Sequence, residues 1–287
     1  MEFIPFDATE AEVAERQVLR EGVPATMRTA LLAWIVDSMS HKGYVYARGL
    51  HDLENNLDVS FELNPQLTRL LSDSEVLGFL MKLGERDLLR VADFRLFKAG
   101  SYSSGADRLE RVLREGRSKY QVVDRGSSRR LEERVPEGVR IGAESLMATA
   151  SVAGRLLSTA WAKVYDLEPD DSGAYAAAVK SVETAAFSAL SIEARDNANV
   201  STVVRAIEAK GASWRLPFKR EHTKAPSRDV LIGMLRSLYK GQRDRHGQEA
   251  YSDVSHDEAE AAVLMAVSLV GWFANGLVRE RDIEAFG

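Results

Sequence analysis

The stretch Ser255-His256-Asp257-Glu258-Ala259-Glu260-Ala261-Ala262-Val263-Leu264-Met265-Ala266-Val267 decides the fold. Its first four residues form a capping box, in which the serine accepts an N–H three positions on and the glutamate reaches back. A long apolar run follows, so the spacing predicts a helix from about Asp257 to Gly276. Working backwards, Ser227 is expected to cap a helix reaching about Tyr239, and a shorter helix covers about Val200 to Lys210, ended by Gly211. The acidic loop Glu168 to Asp171 caps a helix from Ser172 to Leu190, and a run of small and apolar residues predicts one continuous helix from Ile141 to Tyr165. Four longer helices and one short insertion make an antiparallel bundle.

The first half is also helical in pattern. Thr9-Glu10-Ala11-Glu12 is a capping-box pattern for a helix toward Arg20. Pro24 sits where a first helical turn tolerates it, ahead of Met27, Leu31, Trp34, Ile35 and Met39. Ser72-Asp73-Ser74-Glu75 opens another helix, with Val76, Phe79, Leu80 and Leu83 on one side, and the next runs through Leu88 and Phe94 to end near Gly100. The β-favouring segments Tyr120–Val123 and Arg130–Val135 flank a turn containing Gly126 and predict a hairpin that must lean on helices. Pro136-Glu137-Gly138 is the expected border. The fold class is therefore mainly α: residues 1–138 form a helical N-terminal region with a small β-hairpin, and residues 139–287 form the bundle.

Composition narrows the function classes. With 287 residues, 45% hydrophobic and 28% charged, the chain can build two cores. No apolar run is long enough to span a bilayer, the acidic start lacks the basic n-region of a secretory signal, and the expected address is cytoplasmic without a membrane partner. The absence of cysteine excludes disulfides and thiolate zinc sites. No HExxH, EF-hand, Gly-x-Ser-x-Gly or phosphate-binding glycine loop is present, so no metal and no cofactor is expected.

The net charge of −5 leaves room for local basic groups. One runs from Arg108 to Arg130. Another, Arg215 to Arg228, holds Arg215, Lys219, Arg220 and Lys224 against one interior acid, Glu221, and interleaves Trp214 and Phe218. Cations among aromatics suit single-stranded RNA, with bases stacked and phosphates neutralised, though both aromatics could equally anchor the loop. The turn Arg243-Asp244-Arg245-His246-Gly247 combines guanidinium forks for phosphate with an imidazole able to exchange a proton near neutral pH. A histidine and one or two arginines suffice for metal-independent RNA cleavage, while a solvated turn of surface ion pairs is the alternative. Glu183, beside the apolar stripe of its helix, could orient His246 or pair with Arg243, or simply pair with Lys180. His256 reads as part of the capping turn.

The order Ala178-Val179-Lys180-Ser181-Val182-Glu183, then Arg243-Asp244-Arg245-His246-Gly247, then Glu260-Ala261-Ala262-Val263-Leu264-Met265-Ala266-Val267 resembles the HEPN superfamily, particularly C-terminal domains of bacterial abortive-infection proteins. The resemblance covers about residues 141–280, with an Arg-to-His interval shorter than the family's usual one. It implies a homodimer packed through the bundle and a metal-independent endoribonuclease of phage defence or a toxin system. His246 would transfer the proton, Arg243 and Arg245 would hold the phosphate, and Glu183 would orient one of them. Two alternatives stay open: a non-catalytic dimerisation or partner-binding scaffold, and an RNA-binding protein without cleavage.

Overall fold

A computed structural model describes residues 6–7, 9, 18–61, 63, 69–99, 105–126, 128–149, 151–193, 198–209, 213–243 and 254–280, with 241–243 given by backbone course alone. The chain is mainly helical and divides into two compact units, Met1–Arg134 and Val135–Gly287. The border falls just before Pro136-Glu137-Gly138 instead of after it. Val135 packs against the second core, and Pro136 is the N-cap of the next helix.

In the first unit, α1 (Ala25–Met39) follows Pro24 and buries Met27, Leu31, Leu32, Trp34, Ile35 and Val36. The Trp34 indole N–H donates to the Gly105 carbonyl at 2.6 Å. Next come β1 (Tyr44–Tyr46), α2 (Ala47–Leu57), β2 (Leu70–Ser72) and α3 (Asp73–Leu80). The helix expected from Ser72 is present, and a capping box of Ser72 and Glu75 opens it. The helix predicted to end near Gly100 is α4 (Glu85–Ala99); α5 (Gly105–Glu115) follows it. The predicted hairpin is present as β3 (Tyr120–Asp124) antiparallel to β4 (Arg129–Glu133). It leans on helices as a two-stranded sheet must. Buried Asp93 of α4 accepts the Leu131 N–H at 2.7 Å and the Arg130 Nε–H at 2.9 Å, so one carboxylate clamps β4 by backbone and side chain together.

The sequence reading passed over α2, α5 and the β1–β2 ribbon, which pairs Tyr44 with Ser72 and Tyr46 with Leu70. In α5 the apolar positions Ala106, Leu109 and Leu113 are buried at helical spacing, a signal overshadowed by the surrounding arginines. The helix expected from Thr9 falls largely outside the described residues.

The second unit holds α6 (Glu137–Met147), α7 (Val152–Tyr165), α8 (Asp171–Ala189), α9 (Val200–Glu208), α10 (Ser227–Arg243) and α11 (His256–Ala274). The single helix expected from Ile141 to Tyr165 is broken. The Thr149 hydroxyl donates to the Leu146 carbonyl at 2.7 Å, ending α6, and the Ser151 hydroxyl accepts the Gly154 N–H at 3.0 Å, starting α7. Gly154 makes the corner possible, because a Cβ there would lie 2.8 Å from the Leu146 carbonyl oxygen.

Small residues bring the bundle close together. Ala174, Ala177, Ala178, Ser181, Ala185 and Ala186 of α8 are all buried, facing α7 and α11. Side chains fix the helix directions. The Tyr175 hydroxyl of α8 donates to the Leu238 carbonyl of α10 at 2.8 Å, and His256 at the start of α11 meets Asp171 at the start of α8. At the other end, the residue after the bundle's last turn, Arg279, pairs with Arg215 ahead of α10. So α10 runs antiparallel to both α8 and α11. Among the described residues no helix is long and apolar enough to cross a membrane.

Candidate nucleic-acid interface

The loop entering α10 is pinned at both ends. Arg215 and Arg279 exchange backbone hydrogen bonds of 3.0 and 3.1 Å, and Leu216 inserts into the core. At the far end Glu221 accepts the backbone N–H of Ser227 at 3.3 Å and its hydroxyl at 2.5 Å. The expected cap thus changes hands: Ser227 is the first residue of α10, and the Glu221 carboxylate caps it, favourably placed at the positive end of the helix dipole. The Arg228 guanidinium closes the C-terminal end of α9 by donating to the Ile207 carbonyl at 2.7 Å.

Between these pins the chain from Pro217 to Ala225 is exposed. The two aromatics divide their roles. Trp214 packs against the core, whereas Phe218 is 58% exposed. Lys219, Arg220 and Lys224 are exposed around it, with Arg215 half-buried at the base. Among the described residues these four cations have no carboxylate partner, because the loop's one acid is committed to Ser227. His222 shapes the tip, its Nδ1 accepting the Lys224 N–H at 3.2 Å.

Most of the other basic stretch is paired within its own unit, while Arg111 and Arg114 are exposed without a carboxylate partner among the described residues. Arg108 pairs with Asp37, Lys119 with Glu21 and Glu133, Arg125 with buried Glu132, and Arg130 with Asp93. Arg134 holds Glu110 at 2.8 Å. Arg125, Arg130 and Arg134 hold the hairpin through these pairs.

Of the candidate cleavage residues, only the Arg243 backbone is described, at the opposite end of the bundle. Arg243 is the last residue of α10; its side chain, and all of Arg245 and His246, lie outside the described residues. In sequence Arg245 and His246 fall between α10 and α11. At 1.5 Å per residue, α10 separates the cationic loop from the Arg243 backbone by about 25 Å. Glu183 is not near the Arg243 backbone within one chain. Tyr175 sits level with Leu238, Glu183 lies two helical turns beyond it, and Arg243 lies on the other side, about 20 Å away by helix rise. The Glu183 carboxylate accepts the Val200 N–H at 3.0 Å and so receives the start of α9. Half-burial raises its pKa above the ordinary carboxyl range, opposed by that hydrogen bond and by the charge of Lys180.

The turn's end of the bundle is rich in acids: Asp166, Glu168, Asp170, Asp171, Asp257, Glu258 and Glu260. Lys163 is bound to Asp170, and the Tyr165 hydroxyl donates to Glu260 at 3.1 Å. His256, read from sequence as an indifferent part of a cap, is 2.9 Å from the Asp171 carboxylate. No local signal could have shown this, since its partner is 85 residues away. Among the described residues no three His, Asp or Glu side chains are grouped to hold a metal. The chain matches no protein-family model, no curated protein and no solved structure.

Proposed function

We propose that this protein binds single-stranded RNA through the loop from Arg215 to Lys224 of a HEPN-like helical bundle. The observation that carries the reading is Phe218, 58% exposed among four cations that no carboxylate of the described residues neutralises. Phosphates take the places that acids fill elsewhere in the molecule, and an unstacked base covers the phenyl ring. A single strand suits this surface better than a duplex, whose bases are already stacked.

Fluorescence anisotropy of a labelled single-stranded oligonucleotide across a salt series tests it. For Lys219→Ala with Arg220→Ala, affinity should fall and the slope of log K against log salt should shrink by about 0.7 per cation removed. Phe218→Ala should lose about 1–3 kcal/mol of binding. Unaltered affinity and slope in the folded charge variant would rule the loop out.

A second reading adds cleavage. It is favoured by the place of the Arg243–Gly247 turn, between α10 and α11, the last two long helices, as in the family the sequence resembles. In that reading His246 transfers a proton, Arg243 and Arg245 hold the phosphate, and the bundle packs against a second copy. The loop then acts at a distance, gripping the strand about 25 Å from its own turn. A role in phage defence or a toxin system rests on the same resemblance. Incubation with RNA in EDTA should give products that are lost in His246→Ala; equal cleavage by that variant removes the proposed chemistry. If neither binding nor cleavage is found, the bundle is a protein scaffold.

A further inference from the structure

The N-terminal unit presents a second surface of the same chemistry. In the β1–β2 ribbon Val45 and Leu71 point inward and are each 1% exposed, which turns Tyr44, Tyr46 and Leu70 outward at 52%, 65% and 46% exposure. Residues two apart on a strand share a face, so the two tyrosine rings stand side by side. Exposed aromatics grouped in this way mark contact surfaces. Lys42 precedes the pair by two residues and Arg48 follows it by two; both are exposed, and neither has a carboxylate partner among the described residues. The nearby acid Glu75 is taken up by Arg69 at 2.6 Å and by the Ser72 N–H at 2.9 Å.

A backbone observation points the same way. His41 and Tyr44 close a two-residue turn with hydrogen bonds of 2.8 and 3.2 Å, and both central residues have positive φ, 55° at Lys42 and 82° at Gly43. Such a turn favours Asn-Gly. A lysine held in the left-handed region at its tip is locally unfavourable, and residues of this kind gather at functional surfaces.

We propose that the Tyr44–Tyr46 ribbon is a second contact for single-stranded RNA, with bases stacked on the two rings and flanking phosphates neutralised by Lys42 and Arg48. The ligand class is that of the cationic loop, so the inference rests on the RNA-binding reading. The variants separate the two. Lys42→Asn supplies the residue the turn prefers and removes the charge, so the fold is kept or strengthened while binding weakens. Tyr44→Leu with Tyr46→Leu keeps apolar area for a protein partner but removes the aromatic faces.

The full-length chain is titrated with a labelled single-stranded RNA, and melting temperature and sedimentation mass are recorded for each variant. The expected result is a loss of roughly fivefold or more per tyrosine from base–aromatic stacking, and a shallower salt dependence for Lys42→Asn, at unchanged melting temperature. If Phe218→Ala weakens binding but the ribbon variants bind like wild type, the ribbon proposal fails and the loop reading stands. If wild type binds no RNA, both fail. If the leucine variant keeps both the sedimentation mass and the RNA affinity of wild type, the ribbon does not stack bases and the proposal is overturned.

Discussion

Two stretches of this chain are basic in sequence, and the fold uses them in opposite ways. From Arg108 to Arg134 most cations meet carboxylates of their own unit, including the buried Asp93 and Glu132, with Arg111 and Arg114 the exposed exceptions. From Arg215 to Lys224 the one available acid, Glu221, is spent on the start of α10, and the cations face solvent around Phe218. A count of positive residues therefore says little about an interface. What matters is whether the fold has brought each charge its partner.

That contrast is open to direct attack. The largest effect is expected from Asp93→Ala, which leaves the Leu131 N–H and the Arg130 guanidinium without their acceptor; the loss should be about 3 kcal/mol in urea unfolding. A loss comparable to an ordinary surface substitution, within about 0.5 kcal/mol, would mean that the N-terminal arginines are not structural after all. Gly154→Ala should come next. It drives a Cβ against the Leu146 carbonyl at the α6–α7 corner and should cost about 1–3 kcal/mol in the same assay. Ser72→Ala, which removes the α3 cap, should cost about 1 kcal/mol. Its partner Glu75 is lowered to about 2 by the Arg69 hydrogen bond first and then by those from Ser72. The folded pKa is depressed, so this contribution is complete above the ordinary carboxyl range and is lost as pH falls toward about 2.

Glu183 should show the smallest effect, with the opposite sign. Its folded pKa is raised, chiefly by burial, so the folded state holds the proton more tightly than the unfolded chain. Its contribution is greatest below the ordinary carboxyl range and declines as pH rises through the folded value. Relative to Glu183→Gln, wild-type stability should fall as pH rises across that interval, as read by thermal melts in a pH series. A flat difference would show that the α9 hydrogen bond and Lys180 together cancel the effect of burial. Across the same set, Arg108→Gln should leave RNA affinity unaltered, while Lys219→Ala with Arg220→Ala should leave stability within about 0.5 kcal/mol.

What could be read in the sequence was whatever is settled by neighbours along the chain. The helix start at Ser72, the capping box at Ser255 and the hairpin around Gly126 formed where expected, because each is decided within a few residues. The break at Thr149–Ser151 was hidden by apolar residues on both sides, and its deciding contact is the approach of Gly154 to Leu146. Charge fate was illegible for a related reason. Arg130 finds Asp93 from 37 residues away, and nothing local distinguishes it from Lys219. The loop sequence offered two aromatics, and only the packing decided that Trp214 would be held and Phe218 presented. The Arg243–His246 turn was the most conspicuous motif and lies outside the described residues.

The antiparallel run of α10 has an electrical consequence. Because it carries the chain from a cationic end to an acidic one, the C-terminal unit behaves as a permanent dipole despite the protein's net charge of −5. A polyanion approaching in dilute salt would feel a torque before it felt a surface, swinging Phe218 forward and the acidic end away. Encounter would then be quicker than the overall charge allows, and the advantage would vanish as added ions shortened the reach of the field.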